Sequence, residues 1–204
     1  MSLGLSKDEM LTHNRAYQSG NKLIKGEIEI LGKSLPPKPG WWTRRKLKKA
    51  IGLFEKVLEL NPKNDAALFF IAKIYQRFEE HSTCLTYLLR AHAVNPSQAV
   101  YPREASITAM RQGRGRDAIR FAEAAIRVKP DDAGLLDNLA LALLISGNLE
   151  MARAKAQEAV AANKVDDISK NVFEVIDYIA REGISCPSSA AELDKIILEK
   201  DKRS

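Results

Sequence analysis

This chain has little of what disulfide scaffolds, metal centres and membrane spans are built from. Of its 204 residues only two are cysteine, Cys84 and Cys186, too far apart for ligand spacing and too few for a disulfide framework. Two inert thiols, a reducing compartment and a cytoplasmic protein are the expectation. Histidine is scarce as well: His13, His81 and His92 form no pair at metal-ligand spacing. Aromatics make up 6% of the residues. The longest apolar run, Leu139 to Ile145, falls far short of the roughly 20 residues that a membrane-spanning helix needs. The N-terminal residues Met-Ser-Leu-Gly-Leu-Ser-Lys-Asp-Glu show no basic start, apolar run and small-residue cleavage site. Gln112-Gly113-Arg114-Gly115-Arg116 approaches a phosphate loop but lacks its Lys-Ser/Thr ending. Acidic pairs such as Asp131-Asp132 and Asp166-Asp167 read as helix N-caps, not as a general acid and base. No cofactor, metal or catalytic residue is expected, and no enzyme.

What is present points to helices. Hydrophobic residues account for 45% and charged residues for 28%, with Ala, Leu, Lys and Glu prominent, a composition that favours helix over sheet. The 32 basic and 26 acidic residues leave a net charge of +6, a mild bias towards acidic partners because both signs are interspersed. Prolines supply the organisation. Pro62, Pro96 and Pro130 stand 34 residues apart, and one further step reaches Lys164 in Asn-Lys-Val-Asp-Asp. Proline cannot continue a helix, and the Asn or Asp that follows can cap the next one, so each mark ends one helix and launches another. Between the marks, apolar residues recur at helical steps. Leu47, Ile51, Phe54 and Leu58 do so ahead of Pro62, and Leu85, Leu88, Leu89 and Ala93 ahead of Pro96. Ile119, Ala122 and Ile126 repeat the pattern, as do Ala152, Ala156, Ala159 and Val160.

Within this register the residue sizes resemble the tetratricopeptide repeat, a helix-turn-helix of 34 residues. The unit from Asp65 shows Leu68, Ile71, Ala72, Tyr75, Cys84, Leu88, Ala91 and Pro96 at the family's places. The unit from Ala133 shows Leu136, Leu139, Ala140, Leu143, Gly147, Ala152, Ala156 and Ala159. The unit from Ala99 keeps Ala105, Ala109, Gly113, Ala118, Ala125 and Pro130 but carries Pro102 early in its first helix, which therefore starts near that proline. The expectation is an all-α α-solenoid, a right-handed superhelix of four to five such repeats with a C-terminal capping helix. Its parts are an N-terminal arm at 1–16 and one domain at 17–204. Repeat 1 occupies 17–64 with a Pro-rich insertion at 33–42, and repeats 2, 3 and 4 occupy 65–98, 99–132 and 133–166. A degenerate repeat and cap fill 167–204. The first helix of repeat 1 is expected around Asn21 to Gly32, using Leu23, Ile24, Ile28 and Leu31, and the last helix from Ser189 to about Lys200.

The resemblance implies a scaffold that binds a peptide or partner protein in the concave groove lined by the first helix of each pair. The groove positions map to Phe69, Lys73, Gln76 and Arg77, then Arg103, Ile107, Met110 and Arg111, then Asp137, Leu141, Leu144 and Ile145. A basic stretch followed by an apolar one suits a ligand of acidic and apolar character, unless the chain's own C-terminal helix or N-terminal arm fills the apolar end. Chaperone-binding members clamp a terminal carboxylate with a matched Lys, Asn and Arg set; here Asn138 occurs without it. Two basic clusters, Arg44 to Lys49 and Arg111 to Arg127, read as solvated faces. The first adjoins Trp41 and Trp42. These rings are expected to fold back over the end of the first repeat; nucleic-acid or anionic-surface binding through residues 43–49 is the alternative. A non-catalytic subunit of an enzyme complex is a further one.

Overall fold

The computed structural model describes residues 5–28, 38–163 and 165–203, and every regular element among them is helical. In chain order these are α1 (Lys7–Ile24), α2 (Trp41–Leu60), α3 (Asp65–Arg77), α4 (His81–Val94), α5 (Val100–Arg111), α6 (Gly115–Val128), α7 (Ala133–Ile145), α8 (Leu149–Ala162), α9 (Asp167–Arg181) and α10 (Ala190–Arg203). The chain divides into two compact units, Met1–Pro96 and Ser97–Ser204.

The 34-residue period is written into the backbone as well as the sequence. Asn61, Asn95, Lys129 and Asn163 end α2, α4, α6 and α8 with φ of -138°, -136°, -140° and -142° and ψ of 84°, 82°, 86° and 87°. Proline pushes the residue before it towards extended geometry, which accounts for the first three. Asn163 adopts the same conformation although no proline follows it. A local turn signal remains there without the proline: the Asn163 amide oxygen accepts from the Val165 N–H at 3.4 Å, as that of Asn61 does from Lys63 at 3.2 Å. Side chains that cap the first helices share the register: Asn64 accepts from the Ala67 N–H at 2.9 Å, Asp132 from Leu135 at 3.2 Å and Asp166 from Ile168 at 3.0 Å. The turn within each pair needs a left-handed residue, met at Gly113 (φ 68°) and Gly147 (φ 85°) and, in the equivalent place, by Glu79 (φ 62°). Pro102 lies in the first turn of α5, where a missing N–H costs nothing.

In the first unit α1 pairs with α2 and α3 with α4, while α2 packs on α3. Phe54, fully buried, is the hub: its ring meets Tyr17 at 6.1 Å and Phe70 at 5.4 Å. Gly20 lets α1 approach this ring, since a Cβ there would stand 2.8 Å from it. The first helix lies upstream of where its apolar pattern was expected. Residues 7–16, expected as an arm, belong to α1, which a reciprocal capping box between Ser6 and Glu9 opens. Ile24 and Ile28 are buried as expected; Leu31 and residues 33–37 of the Pro-rich segment lie outside the described residues. His13 is buried. Its Nδ1 lies 3.1 Å from the Asn14 amide oxygen and its Nε2 3.4 Å from Asn64 Nδ2, which ties α1 to the α2–α3 turn.

In the second unit α5 pairs with α6 and α7 with α8, α9 packs on both α7 and α8, and α10 returns to α5. Small residues make the close contacts: Ala122, Ala140, Ala152 and Ala156 are all fully buried in one apolar cluster. Gly115 belongs to this pattern, because a Cβ on it would stand 2.9 Å from the Cα of Ser146.

Candidate functional site

The first helices of the second unit, α5, α7 and α9, lie side by side, with α6 and α8 packed against them. The chain itself covers part of that face. After α9, Gly183 at φ 63° turns the backbone, and the Ser188 carbonyl passes 3.0 Å from where a Cβ on Gly113 would stand. Helix α10 then packs on α5. Leu193 is buried to 6% exposure among Leu139, Leu143, Leu144, Val175 and Ile176, and Ile196 and Ile197 pack against the same cluster. These three residues stand at i, i+3 and i+4, the spacing of one helical face. The end of α10 is held by an ion pair from Lys200 to Glu174 at 3.9 Å. The α9–α10 pair thus lacks the extended antiparallel contact of the other pairs. The capping signature at Ser189 is shared with its neighbour: Ser189 Oγ accepts from the Glu192 N–H at 3.4 Å, while Glu192 accepts from the Ser188 N–H and hydroxyl at 2.7 and 2.9 Å.

Burial sorts the residues that the sequence placed along the groove. In the first unit Phe69 is half-buried, whereas Lys73, Gln76 and Arg77 are buried. Arg77 donates from Nε to the Glu27 carbonyl at 3.1 Å, so its guanidinium is engaged in the unit's own structure. In the second unit Arg103, Ile107, Arg111 and Leu141 are half-buried, while Met110, Asp137, Leu144 and Ile145 are buried. Leu144 has no exposed surface at all. It is a core residue of the α7 layer, because α7 is apolar nearly all round and one hydrophobic residue in it looks like another until its neighbours are known. Leu141 joins the cluster that receives α10.

Polar groups interrupt this apolar face. Asp137 accepts from the Ser169 hydroxyl at 2.6 Å, joining α7 to α9. Burial pushes its carboxyl above the ordinary aspartate value, aided by the Asp166 charge and opposed by the Ser169 bond. Arg103 reaches Glu104 at 3.0 Å. Among the described residues, Asp137 Oδ1, Asn138 Nδ2 and Arg103 Nε are buried without a hydrogen-bond partner. Such groups are uncommon in folded proteins and costly to leave unpaired. A pocket of about 210 Å³ between α9 and α10, lined by Tyr178, Glu182, Ile184, Ile196 and Glu199, is smaller than the few hundred Å³ typical of small-molecule sites. No group of three or more His, Cys, Asp or Glu among the described residues stands ready to hold a metal ion. Cys84 is buried in the core, and Cys186 is half-buried with its thiol pushed up by desolvation. None of the described helices is long and apolar enough to cross a membrane.

Residues 104–167, from α5 to the start of α9, match the model of a tetratricopeptide repeat family. This segment carries tetratricopeptide repeats. Solved structures agree at the level of the fold. MamA 41-end from Desulfovibrio magneticus RS-1 superposes with a TM-score of 0.66 at 13% identity, covering 98% of this chain and 100% of that one. YrrB, described as a tetratricopeptide protein with an unusual peptide-binding site, gives 0.57 at 16% identity over 75% of this chain and 77% of its own. The first tetratricopeptide domain of Spaghetti (RPAP3), bound to the HSP90 peptide SRMEEVD, gives 0.54 at 12% identity over 58% and 94%. No curated protein sequence matches. Within the tetratricopeptide units the turn glycines and N-caps already described fall at equivalent places. Ser169 and Asn138 were absent from the residues expected at the site. Ser169 sits on a degenerate unit whose sequence has no fixed register to place it.

Proposed function

We propose that the chain is a protein-binding scaffold with no catalysis of its own, and that its ligand is an amphipathic helical segment carrying acidic residues. The observation behind this reading is the seat of α10. Leu193, Ile196 and Ile197 belong to the apolar cluster built from α6 to α9, and α10 packs on α5, so this face accommodates a helix that offers an apolar i, i+3, i+4 edge, the helix-in-groove mode of peptide recognition. A partner helix with the same edge would take the place of α10. Its acidic residues would meet Arg103 and Arg111, which remain half-buried. The unpartnered Asn138 Nδ2 and Arg103 Nε are donors that such a ligand would satisfy. Peptide binding by YrrB and by the RPAP3 domain belongs to those proteins, and supports the reading as a precedent for the fold.

The test is to free the seat. Leu193→Glu with Ile197→Glu should release α10 while circular dichroism reports the remaining helices intact. Affinity capture from cell extract should then recover more of a partner than the parent chain does. Adding Arg103→Glu and Arg111→Glu should abolish the gain. If the released variant folds yet captures the same proteins in the same amounts as the parent, the face under α10 is not the binding site.

A further inference from the structure

Trp41 and Trp42 open α2 and are exposed to 62% and 75%. They were expected to fold back over the first repeat, yet they pack mainly on each other, edge to face at 80° with centroids 4.3 Å apart. Large aromatic surface left in water is unusual unless it meets something. The surrounding charge has one sign. Arg44, Arg45, Lys46, Lys48 and Lys49 follow within the first nine residues of the helix, and its first turn has no acidic residue. A helix N-terminus already carries a partial positive charge, so basic residues there repel it and one another. Lys46 is offset by Glu27 at 2.9 Å, and Arg44 approaches Glu80 at 3.9 Å. Arg45, Lys48 and Lys49 are exposed and carry no ion pair among the described residues; Arg45 stands 5.7 Å from the Trp41 ring. Charge of one sign concentrated beside two exposed indoles, against the helix dipole, is the signature of an absent anionic partner.

We propose that this tip of α2 docks on an anionic phospholipid surface. The two indoles would lie at headgroup depth, where an apolar ring with one N–H donor is best accommodated. Arg45, Lys48 and Lys49 would meet lipid phosphates, each charge strengthening attachment about fivefold. A single strand of nucleic acid also combines phosphate with flat apolar rings, but it is served by stacking platforms. The edge-to-face pair, with Arg45 beside Trp41, offers no parallel faces to successive bases. The geometry therefore favours the bilayer.

The chain's two tryptophans are both at this tip, so intrinsic emission reports on it alone. Titration with phosphatidylcholine vesicles containing phosphatidylglycerol should blue-shift the emission, and high salt should reverse the shift. Pure phosphatidylcholine vesicles should leave it unchanged. Arg45→Glu with Lys49→Glu, both exposed, should lose more than tenfold in vesicle affinity with helix content unchanged by circular dichroism. Trp42→Ala should lower affinity while Trp41 still reports. The proposal fails if anionic vesicles produce no shift or neutral vesicles produce an equal one. It also fails if only a single-stranded oligonucleotide perturbs the emission, or if the shift follows protein concentration without vesicles, which would indicate a second copy as the partner.

Discussion

Glu79 shows what the repeat asks of a single residue. It occupies the turn position that Gly113 and Gly147 fill one and two periods later, and it adopts the same left-handed φ at 62°. A side chain in that region costs about 1–2 kcal/mol. Glycine would remove this cost and add back about 0.5–1 kcal/mol of chain entropy. The exposed ion pair to Lys38 at 2.9 Å offsets little. Glu79→Gly should therefore stabilise the protein by about 0.5 kcal/mol, seen as a higher urea midpoint; a lower midpoint would mean that the Glu79 side chain contributes more than its exposure suggests. Asp137 bears on pH. Its carboxyl is raised above the ordinary 3.8 mainly by burial, so the folded chain holds this proton more tightly than the unfolded one. The associated stability is complete below the unfolded value and is lost as pH rises through the raised value. Asp137→Asn keeps an acceptor for the Ser169 hydroxyl and avoids the buried charge. Its melting temperature should exceed that of the parent at neutral pH and converge with it well below pH 3.8. An unchanged difference across that range would show that the carboxyl is not the cause.

Among the helices, α1 and α2 illustrate how packing overrides local preference. Glycine costs about 1 kcal/mol relative to alanine inside a helix, yet the two interior glycines, Gly20 and Gly52, have opposite surroundings. Nothing lies within 4 Å of a Cβ on Gly52, whereas one on Gly20 would meet the Phe54 ring at 2.8 Å. Gly52→Ala should gain about 1 kcal/mol from propensity alone. Gly20→Ala should lose up to about 2 kcal/mol, because an overpacking cost of about 1–3 kcal/mol exceeds the same gain. Thermal denaturation of the two variants side by side makes the comparison; a gain at both sites would place α1 farther from Phe54 than the structure does. At the start of α1, Ser6-Lys7-Asp8-Glu9 forms a full capping box, a start signal that the reading of residues 1–16 as an arm passed over. Its weakly apolar middle concealed the helix, since its buried contacts come from small or polar residues, His13, Ala16 and Gly20. The exposure of Trp41 and Trp42 was not legible either, because it depends on which neighbours reach the tip of α2.

At the scale of the molecule, each of the two compact units has buried residues of its own, around Phe54 in the first and around Leu144 and Ile176 in the second. Phe54→Ala should cost about 3–5 kcal/mol. Hydrogen exchange should locate the loss in α1 to α4, with protection in α7 largely retained; equal loss throughout would mean that the units unfold as one. The sequence by itself determined the helical pairs of residues 65–162, their 34-residue register, the N-caps at Asn64, Asp132 and Asp166 and the turn glycines. All of these depend on interactions between residues a few positions apart, which repeat visibly along a chain. Only the tertiary structure decided that Leu144 belongs to the core, that Asp137 and Ser169 meet, and that α10 packs on α5 with Leu193 buried in the cluster around Leu144 and Ile176. An amphipathic helix announces its apolar edge but not the surface that will cover it. That choice is made by whichever exposed face offers the most burial once the other helices are in place.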